Sequence, residues 1–191
     1  MRLSGQKPIR LGSVSYTHLD YVVLAAGASE PGVLKLEKGE PVNALEFLAD
    51  FKKHDGNLDL GKNVVVIGGG NTAMDTARAA KRTKGVEHVY LVYRRTKRYM
   101  PADEEELVMA VEDGVEFKEL LAPKAQENGM LLCDVMKLGE MDASGRRGVV
   151  AAGETVSVPA DTIIAAVGEK IPAHFYETCS LCLLYTSRIP A

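Results

Sequence analysis

Short apolar runs alternate with helix-like segments along most of this chain. The run YVVLAAG at residues 21–27 is apolar, rich in β-branched side chains and ends in glycine, which is typical of a buried strand. The stretch NVVVIGGGNTAMDTARAAKR at residues 63–82 predicts a strand, a triple-glycine turn and an alanine-rich helix. Further strands are predicted for HVYLVY at 88–93 and VEFKELL at 115–121. The order strand, helix, strand predicts an α/β fold with a parallel sheet.

Loops and further helices are predicted around these strands. Residues 31–42 contain two prolines and two glycines and predict a loop. Residues 43–53 carry apolar side chains at helical spacing, and Asn43 is suited to the N-cap position. Residues 94–114 begin with basic side chains, turn at Pro101 and continue as a helix. The acidic start of that helix suits the positive end of the helix dipole.

The last third of the chain predicts two different structures. Residues 122–158 contain short alternating segments separated by turn residues, which indicate a small antiparallel ribbon. Residues 161–168, DTIIAAVG, predict a final buried strand that ends in glycine. This run is similar to the one at 21–27, so two like strands flank the strand–glycine–helix unit.

Composition narrows the class of protein. A length of 191 residues and a hydrophobic share of 46% suit one globular domain, or one domain with part of a second. The net charge of −3 argues against a nucleic-acid-binding protein, which usually has a strong basic excess. No apolar stretch approaches the roughly 18 residues that a membrane-spanning helix needs. Three cysteines are too few for a disulfide framework, so a cytoplasmic location is expected.

The triple-glycine turn carries the clearest chemical signal. Residues 68–73 fit the pattern G-x-G-x-x-A between a strand and a helix. Gly68 would make the tight turn, Gly70 would let a pyrophosphate approach the backbone, and Ala73 would let the helix lie close to the sheet. The helix N-terminus would supply N–H groups for phosphate. The pattern predicts a dinucleotide site, and the alternative is a glycine-rich turn without a ligand.

The end of the second strand of the unit indicates which dinucleotide binds. An NAD site usually has an acidic residue there, but no acidic residue occurs from His88 to Arg98. Arg94 and Arg95 stand there instead, and paired guanidinium groups suit a 2′-phosphate. This favours NADPH over NADH. The alternative is that the basic residues of 94–98 form surface ion pairs with the acidic residues of 103–106.

The motifs together resemble a known family. VVVIGGGNTAMDTARAAKR followed by VYLVYRRTKRYMPADEEEL is similar to the NADPH-binding domain of glutamate synthase small-subunit-like flavoproteins. This group of the pyridine nucleotide-disulfide oxidoreductase superfamily includes selenate-reductase-like enzymes and dihydropyrimidine dehydrogenase. The match covers residues 20–177 and is specific at GGGNTAMD, YRR and MPA. It implies a Rossmann-like NAD(P)-binding domain, with a parallel sheet and a small antiparallel ribbon, inserted into an FAD domain.

The resemblance also implies roles for individual residues. Those expected to line the NADPH pyrophosphate are Gly68, Gly69, Gly70, Asn71, Thr72 and Ala73. Arg94 and Arg95 would hold the 2′-phosphate, and Gly27 and Gly168 would lie near the junction of flavin and nicotinamide. In this family NADPH reduces FAD by hydride transfer, and the electrons leave through iron–sulfur clusters. The expected partner is therefore an iron–sulfur protein or domain.

Departures from the family pattern indicate a fragment. No second glycine fingerprint precedes Tyr21, and no cysteine set for an iron–sulfur cluster is present. We therefore expect an NADPH domain with two stubs of an FAD domain, the FAD belonging to the complete parent protein. The expected boundaries are a doubtful segment at 1–19, an FAD-domain stub at 20–42, the NADPH-binding domain at 43–160, the return strand at 161–178 and a non-native tail at 179–191. Ordinary disordered tails are the alternative for the two ends.

Two rival functions stay open. One is a nucleotide-binding module without catalysis, and the other is a disulfide oxidoreductase that uses the C-x-x-C pair Cys179 and Cys182. No catalytic residue is nominated, because hydride transfer between nicotinamide and flavin needs alignment rather than a side-chain acid. No metal site is expected, since the four histidines are scattered. Cys133 is expected to be a buried structural thiol.

Overall fold

A parallel sheet of five strands forms the centre of the fold. The computed structural model describes residues 10–11, 14–15, 28, 30–141 and 147–171. Within them, the strands of this sheet stand in the order β4 (Val42–Asn43), β11 (Thr162–Ala166), β5 (Asn63–Gly68), β6 (His88–Tyr93) and β7 (Val115–Glu119). Every neighbouring pair runs parallel. The predicted α/β fold with a parallel sheet is confirmed.

Three α-helices pack on one face of this sheet. They are α1 (Ala44–Lys53), α2 (Asn71–Arg82) and α3 (Glu104–Glu112), and a 3₁₀ turn spans Lys97–Tyr99. Asn43 caps α1 as predicted, because its side-chain oxygen accepts the N–H groups of Leu45 at 2.8 Å and Glu46 at 3.3 Å. None of the three described helices is long and apolar enough to cross a membrane.

Small side chains let α2 lie close to the sheet. Ala73, Ala77 and Ala80 are fully buried on its inner face, together with Met74. They pack against sheet residues from β5, β6, β7 and β11, namely Val64, Val66, Val89, Leu91, Val115 and Ile164. The burial of so much apolar surface on one side fixes the height and rotation of α2 over β5. The position of the helix N-terminus relative to the strand ends is therefore set by packing.

A three-stranded antiparallel sheet covers the opposite face. Its strands are β8 (Leu121–Glu127), β9 (Met130–Met141) and β10 (Arg147–Pro159), in the order β10-β9-β8. Leu131, Cys133 and Val158 from this sheet form a second buried cluster with parallel-sheet residues such as Val65 and Ile163. The predicted ribbon at 122–158 is confirmed as antiparallel.

Four two-residue strands complete the described elements. β1 (Arg10–Leu11) pairs with β2 (Val14–Ser15), and β3 (Glu30–Pro31) pairs with β12 (Glu169–Lys170), both antiparallel. The predicted loop at 31–42 therefore begins and ends in short strands, and the strand predicted at 161–168 ends at Ala166. The strand predicted at 21–27 and the tail at 179–191 lie outside the described residues.

One edge of the parallel sheet gathers the candidate residues. The carboxyl ends of β11, β5 and β6 lie side by side there, at Ala166, Gly68 and Tyr93. The turns that follow these three strands contain almost all of the residues predicted to bind the dinucleotide. Ligands of open α/β sheets bind beyond the carboxyl ends of the strands, so a binding site is expected at this edge.

Candidate functional site

Two of the three glycines at the end of β5 and in the turn after it are required by the packing of the protein itself. A side chain at Gly68 would overlap the backbone carbonyl oxygen of Ala166 in the neighbouring strand β11. A side chain at Gly69 would overlap the ring of Tyr93 at the end of β6. The turn lies tightly between its two neighbouring strands because both positions lack a side chain.

Gly70 differs from its two neighbours, because the space in front of it is open. A Cβ atom at this position would meet no atom nearer than Cγ of Pro101, at 4.0 Å. Gly70 is the N-cap of α2 and offers no capping side chain, and the first turn of α2 has no acidic residue. The positive end of the helix dipole therefore faces open space with no anion from the helix itself. This arrangement fits a phosphate group.

Asn71 ties the glycine turn to the segment that precedes α3. Its Nδ2 donates to Oδ2 of Asp103 at 3.1 Å, and the N–H of Asp103 donates back to Oδ1 of Asn71 at 3.1 Å. The N–H of Ala102 also donates to the carbonyl oxygen of Gly69, at 3.0 Å. The side-chain amide of Asn71 is thus engaged by the protein, so a phosphate-binding role for Asn71 would depend on its backbone N–H.

A cavity adjoins this segment. It has a volume of about 420 Å³ and is lined by Lys97, Arg98, Met100, Ala102, Asp103, Glu104 and Leu107. Met100 and Leu107 also pack against the core between the helices and the parallel sheet, and they give the cavity apolar surface beside its charged lining residues. Because Ala102 is hydrogen-bonded to the glycine turn, the cavity lies beside the predicted phosphate site.

On the other side of the turn, Thr72 contacts the strand that follows β11. The Oγ1 of Thr72 donates to Oε1 of Glu169 at 3.3 Å. Gly168, just before it, has a φ of +98°, a conformation that favours glycine. Its carbonyl oxygen accepts the N–H of Gly32 at 2.7 Å. Sequence reasoning singled out Thr72 and Gly168 but missed Glu169, whose only signal was its place directly after Gly168.

Arg94 and Arg95 follow β6 at the same edge of the sheet, but they differ in their contacts. Arg94 is exposed, whereas Arg95 is half-buried and its Nε donates to the carbonyl oxygen of Arg147 at 3.0 Å. The N–H of Leu120 donates to the carbonyl oxygen of Arg95 at 3.3 Å. Arg95 is therefore held at a defined place, while the guanidinium group of Arg94 faces solvent.

The alternative ion pairs of the basic stretch are not found. Within the parts of the chain that the structure describes, no salt bridge joins a basic residue of 94–98 to an acidic residue of 103–106. Glu106 faces Arg78 of α2 instead, at 3.7 Å. Arg78 also donates to Asp113 at 2.8 Å, and this hydrogen bond lowers the pKa of the Asp113 carboxyl. Glu106 and Asp113 thus pair with α2 rather than with the basic stretch.

Asp161 fixes the two central strands at the opposite edge. Its Oδ2 accepts the N–H groups of Asn63 at 2.8 Å and Lys62 at 2.9 Å, and also the Asn63 side-chain amide. These hydrogen bonds lower the pKa of the Asp161 carboxyl, and the one from the Asn63 backbone has the largest effect. The start of β5 is thereby joined to the start of β11, so the register that brings Gly68 against Ala166 is set from both ends.

The remaining candidates are the cysteines, Gly27 and any metal-binding cluster. Cys133 is fully buried, and burial raises the pKa of its thiol to about 12, which suits a structural role. Gly27 and the pair Cys179 and Cys182 lie outside the described residues. Among the residues whose placement is described, no group of His, Cys, Asp and Glu side chains could hold a metal ion.

Comparisons with known sequences support a family assignment. Residues 5–183 match the family described as pyridine nucleotide-disulphide oxidoreductase. The YgfK protein of Escherichia coli (strain K12) is 46% identical over 154 residues, which cover 78% of this chain and 15% of YgfK. The small chain of NADPH glutamate synthase from the same organism is 44% identical over 115 residues, which cover 56% of this chain and 24% of that one. The chain thus spans less than a quarter of either relative.

Solved structures show the same fold. FprA from Mycobacterium tuberculosis in complex with NADPH matches with a TM-score of 0.64 at 19% sequence identity, covering 78% of this chain and 50% of FprA. At this level of identity the likeness concerns the fold alone. The family match covers most of the sequence and agrees with the resemblance inferred from GGGNTAMD, YRR and MPA. The chain therefore belongs to the pyridine nucleotide-disulphide oxidoreductase family.

Proposed function

We propose that this chain is the NADPH-binding part of a flavoprotein oxidoreductase. The observation that carries the proposal is the open, uncapped N-terminus of α2 at Gly70, with the cations Arg94 and Arg95 at the end of the adjacent strand. A ligand that satisfies both features has a pyrophosphate and a further phosphate group. NADPH is such a ligand, and the glutamate synthase relative includes NADPH in its name.

Each part of NADPH has a group of residues that would bind it. The backbone N–H groups at the start of α2, on Asn71 and Thr72, would hold the pyrophosphate. Arg94, which is exposed, and Arg95, which is anchored through its Nε, would bind the 2′-phosphate. The cavity lined by Met100 and Leu107 offers apolar surface for the adenosine. Asn71, Thr72, Arg94 and Arg95 are among the site residues predicted from the sequence, whereas Met100 and Leu107 are added here from the cavity.

The chain contributes binding and orientation to the reaction rather than acid–base chemistry. When bound, NADPH supplies a hydride, which the flavin of the complete parent protein would accept with its electron pair. Gly168 would lie near the junction of the two rings, and its lack of a side chain would allow a close approach. Gly27 is proposed for the same junction from the resemblance.

The proposal extends to the parent protein and its partners. With the boundaries expected from the sequence, the glycine turn and the two arginines belong to the NADPH-binding domain at 43–160, Gly168 belongs to the return strand at 161–178, and Gly27 belongs to the FAD-domain stub at 20–42. The electrons would leave the flavin for an iron–sulfur protein or domain, as the resemblance implies. A cytoplasmic location stays a prediction.

Calorimetric titration of the full chain with NADP⁺ and NAD⁺ tests the proposal. We expect clear preference for NADP⁺. Replacing Arg94 and Arg95 by alanine should cost roughly 1.5–3 kcal/mol of NADP⁺ binding free energy per lost charged hydrogen bond. Binding of NAD⁺, which has no 2′-phosphate, should change little.

The control is Lys53→Ala, which removes an exposed cation at the far end of α1. It should leave the binding of both nucleotides unchanged. Equal affinity of the intact chain for NADP⁺ and NAD⁺ would contradict the role of the two arginines. No binding of either nucleotide by the folded chain, with folding checked by circular dichroism, would contradict the dinucleotide site itself.

A further inference from the structure

Among the residues that the structure describes, Glu169 is a carboxylate that reaches α2 from the side of β11. Its Oε1 accepts the hydroxyl hydrogen of Thr72 in the first turn of α2, at 3.3 Å. The residue is exposed and lies in β12, directly after Gly168. The positive end of the α2 dipole favours this carboxylate, but the carboxylate would repel a phosphate bound at the same helix end unless it serves another part of the ligand. Its position calls for an explanation within the proposed NADPH site.

The order of the strands gives the ligand a direction. β6 and β11 lie on opposite sides of β5, whose glycine turn leads into α2. Under the proposed function, Arg94 and Arg95 hold the adenosine end of NADPH beyond β6, and the pyrophosphate lies in front of Gly70. The nicotinamide half must then extend beyond the pyrophosphate towards β11. Gly168 and Glu169 follow β11 at that place.

The backbone around Glu169 is held firmly. β12 pairs with β3, so that Glu169 stands opposite Pro31. The N–H of Gly32 donates to the carbonyl oxygen of Gly168 at 2.7 Å, and a Cβ on Gly32 would approach that oxygen to 2.7 Å. The close contact of the two backbones thus depends on a glycine. Glu169 is presented to the site by a backbone that is fixed before any ligand arrives.

The chemistry of a carboxylate selects what it can bind. Two carboxylate oxygens provide about four lone-pair positions, and the Thr72 hydroxyl uses one of them. The remaining positions can accept hydrogen bonds but cannot donate them, so a phosphate oxygen is excluded as a partner. In the nicotinamide half, the ribose hydroxyls are adjacent donors. A carboxylate commonly binds the hydroxyls of a nucleotide ribose in this manner.

We propose that Glu169 binds the nicotinamide ribose of NADPH, accepting hydrogen bonds from its hydroxyl groups while Thr72 orients the carboxylate. This inference rests on the proposed function. The proposed site thereby gains a residue from β12, and this residue binds the nicotinamide half of the ligand. Adenosine and nicotinamide would then be held by side chains of opposite charge, on opposite sides of the glycine turn.

Comparing the binding of two ligands shows which half of the nucleotide Glu169 contacts. NADP⁺ has both halves, whereas 2′,5′-ADP has only the adenosine half with its two phosphates. Replacing Glu169 by alanine should weaken NADP⁺ binding about tenfold, the effect of one or two lost charged hydrogen bonds. Binding of 2′,5′-ADP should be unchanged. The matched control is Glu30→Gln, which removes an exposed carboxylate from β3 in the same strand pair and should alter neither affinity.

The outcomes distinguish this inference from the proposed function. Equal loss of affinity for both ligands would show that Glu169 acts on the phosphate turn, and would overturn the ribose assignment. An unchanged or higher affinity for NADP⁺ would overturn it too. Failure of the unmodified chain to bind 2′,5′-ADP would instead overturn the proposed function.

A third ligand separates the ribose from the carboxamide. The 3-acetylpyridine analogue of NADP⁺ lacks the carboxamide N–H donors and keeps the ribose hydroxyls. The Glu169→Ala variant should bind this analogue about tenfold more weakly than the unmodified chain does, as for NADP⁺. Loss of the difference with the analogue would assign Glu169 to the carboxamide and overturn the ribose contact.

Discussion

The ring of Tyr93 lies against Gly69 so closely that no side chain could be added to the glycine. The hydroxyl group of Tyr93 also donates to the carbonyl oxygen of Tyr99 at 2.8 Å. A single side chain at the end of β6 thus joins the glycine turn to the 3₁₀ turn. Since Arg94 and Arg95 directly follow Tyr93, this contact also sets the distance between the two proposed phosphate sites.

Alanine at Gly69 should mainly affect stability, whereas alanine at Gly70 should mainly affect nucleotide binding. Gly69→Ala would press a methyl group into the Tyr93 ring and should lower the free energy of unfolding by about 1–3 kcal/mol. Gly70→Ala meets open space and should cost less than about 1 kcal/mol, the effect of a poorer N-cap. The added methyl group would, however, occupy the place of the pyrophosphate, so NADP⁺ binding should fall. Chemical denaturation and calorimetry of both variants measure the two effects. A stable Gly69→Ala variant, or a Gly70→Ala variant with intact affinity, would contradict this division.

Removal of the Tyr93 hydroxyl should destabilise the site without creating a cavity. Tyr93→Phe loses the hydrogen bond to Tyr99 and should lower the free energy of unfolding by about 1 kcal/mol. Tyr99→Phe is the matched control, because the acceptor is the backbone carbonyl oxygen of Tyr99 and survives the change. Urea denaturation of the two variants should therefore give a loss only for Tyr93→Phe. Equal losses of unfolding free energy in the two variants would show that the Tyr93–Tyr99 hydrogen bond does not account for the effect.

The stability of the chain should depend on the ionisation of Asp161. Its pKa is lower in the folded chain than the ordinary value of 3.8, because the carboxylate accepts hydrogen bonds from Asn63 and Lys62. The carboxylate therefore stabilises the fold at pH values above about 4, and this contribution is lost as the pH falls through the folded pKa. Asp161→Asn should be less stable at neutral pH and should lose less stability on acidification. Urea denaturation between pH 7 and pH 3, with Asp50→Asn as the control, measures the difference. Parallel pH profiles for Asp161→Asn and the unmodified chain would contradict the prediction.

The thiol of Cys133 should be unreactive in the folded chain. It is fully buried, and its pKa is raised to about 12, so almost no thiolate forms near pH 8. In a Cys179→Ser, Cys182→Ser variant, a disulfide reagent such as DTNB should label no thiol until denaturant is added. Rapid labelling of the folded variant would show that the β9 region opens or that Cys133 is accessible.

Local sequence patterns were sufficient to predict those parts of the fold that depend on contacts between residues close in sequence. Asn43 was predicted as the cap of α1 because a cap acts on N–H groups two and three residues away. The glycine turn was likewise predictable, since it lies between a strand and a helix of strong periodicity. β3 and β12 were not, because two-residue strands have no periodicity and exist only through their pairing.

Contacts between distant residues explain what sequence reasoning could not supply. Asn71 and Asp103 are 32 positions apart, and Thr72 and Glu169 are 97 apart. Each pair meets only because the parallel sheet brings the carboxyl ends of several strands to one edge. The same limit applied to the acids of 103–106, for which pairing with the nearby basic residues was the alternative considered from the sequence. Helix packing instead brings Arg78 to Glu106.

The pairing of β3 with β12 has a consequence for how such a unit could be moved between proteins. Glu30 of β3 and Lys170 of β12 stand opposite each other, and the strands of the parallel sheet and of the three-stranded antiparallel sheet, which form this unit, all lie between them in sequence. Everything between them departs from and returns to a single place. A host protein therefore has to accommodate only two adjacent strands to receive the whole unit, and its own core can stay as it was. Grafting residues 30–170 into a surface hairpin of an unrelated scaffold would exploit this geometry.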